Sequence, residues 1–305
     1  GVTTRISVDS NGNQVGLRSD GPRISPDGRW VVFESDDALI PTDLNGLKDS
    51  YRLDRTTGQL DLISITQAGV QGTAWSYHPQ VSDDGRYAVF FSGASNLVPG
   101  DTNGQGDVFW KDMATGELRR VNVSSTGVQS NSESTWPGLS GDGQTVSFCS
   151  RGSTLVPGDT NNNWDVFAHD IATGTTTRLN VQPNGAQADS YVRSPTALST
   201  DGRFVIFASL STNLVPGDLN GFQDAFVRDR QLQVTTMVTA AFDGTQLNDD
   251  SFVPHMTPDL SVITFTSEAS NVVTGDTNGF RDIFATSLSG GSTTFCTAKS
   301  GLVCG

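Results

Sequence analysis

The feature that most constrains this chain is an acidic seven-residue motif, Asp-x-Asn-x-x-x-Asp, that occurs five times. The copies read DLNGLKD (43–49), DTNGQGD (101–107), DTNNNWD (159–165), DLNGFQD (218–224) and DTNGFRD (276–282), at steps of 58, 58, 59 and 58 residues. A fixed period of this size is typical of repeat architectures, in which each repeat is one supersecondary unit. The chain is therefore expected to consist of five structural repeats.

Other features keep the same step. In every repeat a Gly-x-Gln triplet is followed by a proline eight residues after its glutamine: Gln14 and Pro22, Gln71 and Pro79, Gln129 and Pro137, Gln187 and Pro195, Gln246 and Pro254. A turn comes next, with Asp-Gly in four copies, which is a strong hairpin signal between apolar runs. The fifth copy has Leu260 in place of the glycine, so its turn has the weakest signal.

The runs after the turn, such as WVVFES (30–35) and FVIFAS (204–209), are rich in β-branched and aromatic residues and predict buried strands. A third strand follows the acidic loop, and a fourth follows a Thr-Gly turn. Four short antiparallel strands cannot bury both faces alone, and stacking such sheets around an axis makes a propeller. We predict an all-β, five-bladed β-propeller of four-stranded blades over residues 1–290, with a tail at 291–305.

The closure of the propeller has two interpretations. The segment TTRISV (3–8) has the character of an outer strand with no blade before it, so we expect it to complete the fifth blade. Alternatively, STTFCTA (292–298) is that strand, and the chain is a fragment of a six-bladed propeller.

The combination of SPDGRWVVFES (25–35), a following DVF strand and a Thr-Gly turn resembles the WD40-like propeller repeats of TolB-type bacterial proteins. The resemblance extends over residues 3–288 and implies the propeller fold. It implies little about function, because one propeller scaffold carries binding proteins, structural proteins and enzymes. The acidic loop is a departure from the simplest repeats of this type.

The acidic loops are candidate calcium sites. Ca²⁺ takes several oxygen ligands from short flexible loops of Asp, Asn and backbone carbonyls. The first three positions resemble an EF-hand loop, and the whole resembles the calcium loops of integrin-type propellers, although no bidentate Glu is present. The candidate ligands, for about one ion per blade, are Asp43, Asn45, Asp49, Asp101, Asn103, Asp107, Asp159, Asn161, Asp165, Asp218, Asn220, Asp224, Asp276, Asn278 and Asp282.

An alternative is that the loops are structural turns, because Asp and Asn side chains also bond to nearby backbone amides. All five copies nevertheless keep both carboxylates and the amide while the residues between them vary. Two neighbouring carboxylates repel each other unless something neutralises them, and the loops themselves offer no consistent internal cation.

The net charge and the cysteines indicate which partners the protein binds and in which compartment it works. A net charge of −14 works against binding to nucleic acid and to anionic lipid, and no apolar run approaches the ~18 residues of a membrane helix. We expect a disulfide between Cys296 and Cys304, which fits an extracytoplasmic protein. The expected partners are a protein, a polysaccharide or further copies of the chain.

Enzymatic activity has no motif to support it, since nucleophile-elbow, zinc-protease and phosphate-loop patterns are absent. The alternative to a binding or structural module is a polysaccharide-active lyase or hydrolase, with Tyr77, His78 and Arg193 on one face. We expect His169 to be an exposed strand residue. Trp75, Trp136 and Trp164 lie in predicted loops, where an aromatic side chain stacks on a sugar or packs on its own blade.

Overall fold

The computed structural model describes residues 1–192 and 196–287. These residues form five antiparallel sheets arranged as a β-propeller, and no helix occurs among them. The fold class predicted from the repeat is confirmed. In the described ranges there is accordingly no helix with the length and hydropathy needed to cross a membrane.

Each sheet is one sequence repeat, and we number the blades in chain order. The strands of blades 1 and 2 are β1 (Ser19–Ile24), β2 (Trp30–Ser35), β3 (Asp49–Asp54), β4 (Leu60–Leu62), β5 (Ser76–Val81), β6 (Tyr87–Ser92), β7 (Asp107–Asp112) and β8 (Leu118–Arg120). Those of blades 3 to 5 are β9 (Ser134–Leu139), β10 (Thr145–Ser150), β11 (Asp165–Asp170), β12 (Thr175–Arg178), β13 (Ala197–Leu198), β14 (Phe204–Ser209), β15 (Asp224–Asp229), β16 (Val234–Met237), β17 (Ser251–Met256), β18 (Val262–Ser267) and β19 (Asp282–Ser287). Blades 1 to 4 have four strands in sequential order, and blade 5 has three in the described part.

The core lies between neighbouring blades. Separate clusters of buried side chains join blades 1 and 2, 2 and 3, 3 and 4, and 4 and 5. Every blade also has an aromatic pair at an equivalent position across its second and third strands, with ring centroids 5.5 to 5.9 Å apart: Phe33 and Tyr51, Phe90 and Phe109, Phe148 and Phe167, Phe207 and Phe226, Phe265 and Phe284. These pairs confirm that the recurrent aromatic residues belong to the core.

The turn after each first strand is built in the same way in blades 1 to 4. A serine hydroxyl donates to the aspartate two residues later, as from Ser140 to Asp142 at 2.5 Å, and the next glycine has a positive φ. In the fifth copy Leu260 takes this left-handed position with a φ of 60°, and its amide donates to Thr257 at 2.8 Å. The fifth turn therefore forms without the glycine.

In blades 1, 2, 3 and 5 the first strand carries a β-bulge just before its proline. The pairing shifts there in blades 1, 2, 3 and 5, and the residue before the proline has a positive φ: Gly21, His78, Trp136 and Val253. A bulge re-aims the side chain at its position. This backbone geometry decides what faces the loop side of the propeller.

The N-terminal segment differs from our expectation. Residues 1–7 contain no strand, Val8 pairs with Gln14, and β19 has only β18 as a neighbour in the described part. The bridge from Val8 to Gln14 is the one that Ile65 makes with Gln71 at the end of blade 1. A local bridge costs little loop-closure entropy, whereas pairing with β19 joins the two ends of the chain. The alternative strand, 292–298, lies outside the described residues.

Candidate functional site

The five acidic loops each join the second and third strands of a blade. The last aspartate of the motif is the first residue of the third strand, where it pairs with the serine that ends the second strand, as Asp165 does with Ser150. This aspartate is fully buried in blades 1 to 4 and half-buried in blade 5. The structure thus brings the two carboxylates of each motif to one end of its blade.

In blades 2 and 3 an arginine lies between the two carboxylates. The Nη1 of Arg120 is 3.2 Å from Asp101 Oδ1 and 3.3 Å from Asp107 Oδ2. The Nη1 of Arg178 is 3.4 Å from Asp159 Oδ1 and 3.5 Å from Asp165 Oδ2. The acidic motif alone did not predict this internal cation, because the arginine comes from the end of the fourth strand, 13 residues beyond the last aspartate. The recurring arginine in LRR (118–120) and TTR (176–178) was the available signal.

In blades 1 and 4 the arginine position holds an uncharged residue, Leu62 or Met237, as the strand pairing shows. Asp49 accepts from the Ser64 hydroxyl at 2.5 Å through Oδ1, while its Oδ2 is buried with no hydrogen-bond partner. Asp43 accepts from the Tyr51 hydroxyl and from Gln71. Among the described residues, no positive side chain forms an ion pair with either of these two carboxylates.

Blade 4 follows blade 1 closely. Asp224 accepts from the Thr239 hydroxyl at 2.6 Å and from the Asn220 amide at 2.9 Å, and Asp218 accepts from Gln246 at 3.2 Å. The blade 5 loop is more exposed, and its Asn278 amide donates to Asp282 at 2.8 Å. Among the residues that the structure describes, the loops of blades 1, 4 and 5 have no arginine between their carboxylates, which distinguishes them from the loops of blades 2 and 3.

Burial changes the acidity of the inner carboxyls. Loss of hydration raises the pKa of Asp49, Asp165 and Asp224 to about 6. It also raises the pKa of Asp159 and Asp218, and that of Asp101 together with the nearby Asp107 charge. The rise occurs in both classes of loop because it comes first from burial; beside Arg120 and Arg178 the guanidinium charge lowers the pKa of Asp101, Asp159 and Asp165 in part.

The asparagine of the motif is a turn former in all five loops. Its Oδ1 accepts the amide two residues later, as Asn220 does from Phe222 at 3.0 Å. Its amide group is directed to the last aspartate in blades 2, 4 and 5. In the described residues no group of three carboxylates, histidines or cysteines converges on one point. A cation bound in one of these loops would therefore contact the oxygen atoms of the two aspartate carboxylates, and the asparagine side chain would lie beside those carboxylates.

The histidines occupy separate places. His169 is buried, not exposed as expected. Its Nδ1 lies 2.8 Å from Oγ1 of Thr176 on the adjacent strand β12, and that hydroxyl donates to the Val123 carbonyl, beyond the last strand of blade 2. Burial lowers the pKa of His169. His78 lies edge-on to Tyr77, with ring centroids 5.2 Å apart, and its backbone amide donates to Glu34 at 2.8 Å. Arg193 lies outside the described residues, so the enzymatic interpretation stays a prediction.

Of the three tryptophans predicted to lie in loops, Trp75 and Trp164 do so, but that prediction is wrong for Trp136, which belongs to β9 and sits at its bulge. Trp136 and Trp164 have ring centroids 6.0 Å apart, whereas Trp75, which directly precedes the first strand of blade 2, is 62% exposed. The predicted disulfide of Cys296 and Cys304 lies outside the described residues.

No protein-family model matches the chain, and no curated protein matches it. A solved structure described as TolB from Agrobacterium tumefaciens has a TM-score of 0.55 and 17% identity, over 89% of this chain and 78% of that one. A structure from a study of two prolyl endopeptidases has a TM-score of 0.51 and 11% identity, over 91% of this chain but 35% of that one. An oligogalacturonate lyase from Vibrio parahaemolyticus has a TM-score of 0.49 and 15% identity, over 90% of this chain and 67% of that one. At these identities the likeness is one of fold, and the chain shares its β-propeller architecture with the TolB protein.

Proposed function

We propose that this chain is an extracytoplasmic binding module, a β-propeller whose blades are braced at their acidic loops by positive charge. In blades 2 and 3 the charge is the guanidinium of Arg120 or Arg178. In blades 1, 4 and 5 it is a bound Ca²⁺ held by the two aspartates of the motif, with backbone carbonyls and water completing the oxygen ligands.

The observation that carries the proposal is the division of the five loops into two classes. The same two carboxylates are present in every blade, yet a guanidinium lies between them only in blades 2 and 3 among the described residues. Buried carboxylates without a compensating charge are costly. Asp49 Oδ2 and Asp101 Oδ1 are both buried without a hydrogen-bond partner, but only Asp101 Oδ1 has a guanidinium beside it, at 3.2 Å. A cation in the remaining loops would remove this cost.

Calcium is the cation that suits this chemistry. The donors are carboxylate oxygens, and in the part of the chain that the structure describes no cysteine or histidine joins them in a cluster that would favour zinc. A site with few ligands and no bidentate Glu is expected to bind weakly, in the range of about 0.1 to 1 mM that is typical of extracellular modules. Weak binding of this kind, with the acidic charge of −14, supports an extracytoplasmic setting.

Calcium removal tests the bracing. The protein is dialysed against EDTA, and its thermal unfolding is followed with increasing CaCl₂, at an ionic strength held constant with NaCl. Ligand binding to the folded state at ten times its Kd adds about 1.4 kcal/mol, so we expect the melting temperature to rise by several degrees. Equal melting temperatures in EDTA and in calcium would contradict the proposal.

Matched variants locate the effect. Asp224→Asn removes one carboxylate from a blade without the arginine, so it should reduce the rise caused by calcium. Asp165→Asn removes the equivalent carboxylate beside Arg178, so it should lower the melting temperature but leave the calcium-dependent rise intact. A calcium response that depends equally on both aspartates would show that the two classes of loop do not differ.

A further inference from the structure

A cleft of about 550 Å³ opens between blades 3 and 4, on the side of the acidic loops. Its walls include Trp136, Trp164 and Tyr191, with Glu133, Arg151 and Asn163 among the polar groups. Its volume lies within the ~300 to 1,000 Å³ of small-molecule sites, which combine aromatic walls with a few polar groups.

The two tryptophans are held firmly. Both rings pack on the buried cluster between blades 3 and 4, and their planes are inclined at 39°. Trp136 sits at the bulge of β9 with a φ of 51°, which turns its ring out of the regular strand direction. The carbonyl of Trp164 accepts the Val192 amide at 2.9 Å, which ties the blade 3 loop to the chain segment of Tyr191.

The repeat shows that the fold does not require these tryptophans. At the position of Trp136 the sister blades have Gly21, His78 and Val253, which take the same positive φ. At the position of Trp164, one residue before the third strand, they have Lys48, Gly106, Gln223 and Arg281. Blade 3 alone of these blades places an indole at both positions, although the blades share one architecture. The two tryptophans are therefore not needed to form the blade, and another role has to explain them.

The chemistry of the walls selects the ligand. Indole faces are apolar with an electron-rich centre, and they favour contact with the polarised C–H groups on one face of a sugar ring. The exposed side chains of Glu133 and Arg151 have opposite charges, and planar carboxylate and guanidinium groups suit paired hydroxyls. The two opposite charges offset each other, so these groups give the cleft no net attraction for a cation or an anion. Both can still form hydrogen bonds with a polar ligand that has no net charge.

We propose that this cleft binds a pyranose ring of a neutral polysaccharide, with Trp136 and Trp164 as stacking platforms. The inference rests on the binding-module function proposed above and names its ligand class. The acidic loop of blade 3 would then contribute directly to ligand binding, because Asn163 and Trp164 belong to it. The contact of Arg178 with both aspartates of the loop holds the two ends of the loop together.

Affinity electrophoresis tests the inference. The protein is run in native gels that contain hydroxyethylcellulose, xyloglucan, galactomannan, arabinoxylan, mixed-linkage β-glucan or dextran, with polygalacturonate as the anionic comparison. We expect at least one neutral polymer to retard the protein, equally at 50 and 500 mM NaCl, because screening weakens only charge-driven binding. Retardation by none of the neutral polymers, or by polygalacturonate alone, would overturn the proposal.

The variants use residues that the sister blades already tolerate. Trp136→Val copies Val253 and Trp164→Gln copies Gln223, and each should weaken retardation at least fivefold. Phe242→Ala, which removes an aromatic ring that is 62% exposed elsewhere, should leave retardation unchanged. If a tryptophan variant does not fold, Arg151→Ala replaces it with the same expected direction. Wild-type retardation in all the cleft variants would contradict the assignment.

The calcium proposal and this inference can fail separately. Retardation that persists in EDTA, with no effect of calcium on the melting temperature, would contradict the calcium proposal and support the sugar-binding cleft. A calcium-dependent melting temperature with no retardation by any neutral polymer would support the calcium proposal and contradict the sugar-binding cleft. Binding of choline or of a proline-rich peptide, detected by tryptophan fluorescence without any polysaccharide binding, would also overturn the sugar assignment.

Discussion

At the scale of single residues, the unusual feature of this propeller is the number of charged side chains buried where blades meet. Lys111 is 4% exposed and its Nζ donates to the carbonyls of Ile63 at 2.9 Å and Ile65 at 2.7 Å in the preceding blade. Arg228 and His169, at the same strand position, are buried as well. Such groups are tolerated when backbone carbonyls or neighbouring side chains take up their donors.

The arginine between two aspartates should be essential to its blade. Arg120→Met replaces it with the blade 4 residue and leaves Asp101 and Asp107 facing each other in the interior. Removing one partner of a buried charge pair costs about 3 to 5 kcal/mol, and we expect a loss of this order in urea unfolding. The adjacent Arg119, about half exposed and paired with Glu117, is the matched control. Arg119→Met should cost about 1 kcal/mol or less, and equal losses would contradict the role of Arg120.

Lys111 should make stability depend on alkaline pH. Burial lowers its pKa from 10.5 to about 8. Its folded-state pKa therefore lies below the unfolded value, so the cost of burying the ammonium is present below pH 8. That cost is relieved as pH rises from about 8 to 10.5, because the folded state releases the proton first. The shift corresponds to about 3 kcal/mol at most.

Urea unfolding between pH 7.5 and 10.5 measures this gain, and Lys111→Met should remove it. With [ε-¹³C]-lysine, one of the three lysine signals should titrate near pH 8 in the wild type and be missing in the variant. Three lysines titrating near their ordinary pKa would contradict the prediction.

At the scale of elements, each blade depends on a tight turn between its first two strands. Gly143 has a φ of 72°, and a Cβ there would collide with the ring of Tyr87 in the preceding blade. Neighbouring turns are also linked directly, since the Asp142 amide donates to the Thr200 carbonyl at 2.9 Å. The turns therefore join the blades to one another, as well as joining strands within a blade.

We expect Gly143→Ala to destabilise the protein by about 2 to 4 kcal/mol, from the left-handed backbone and the collision together. Gly158 is the matched control, because its φ is 74° and no atom lies within 4 Å of a Cβ placed there. Gly158→Ala should cost only the backbone strain, about 1 to 2 kcal/mol. Chemical denaturation of both variants gives the comparison, and equal costs would exclude the collision.

At the scale of the whole molecule, the propeller carries a charge of −14 distributed over all five blades. Net charge of this size destabilises a compact state through self-repulsion, and salt screens it. We expect NaCl from 10 to 200 mM to raise the melting temperature by a few degrees in calorimetry. Calcium at 1 mM should add to this rise after the screening is saturated. A melting temperature that is independent of NaCl would show that the acidic charges are neutralised locally.

The sequence by itself determined the repeat, the number of blades and their strands, because each signal is local and recurs five times. Turns, aromatic pairs and buried strands depend on residues within one repeat, and the fifth turn formed even with Leu260. The carboxylate pairs of the acidic loops were visible in the same way, since both aspartates lie within seven residues.

Only the tertiary structure decided which groups complete these sites. Arg178 reaches Asp159 because β12 returns beside β11, and Trp136 reaches Trp164 because a bulge in β9 redirects its ring. His169 likewise contacts Thr176 on the adjacent strand, and the Thr176 hydroxyl donates to the Val123 carbonyl beyond blade 2, so its burial depends on segments outside its own strand. Strand alternation assigns a side chain to one face of a sheet, but what covers that face is decided by contacts between segments that are distant in the chain.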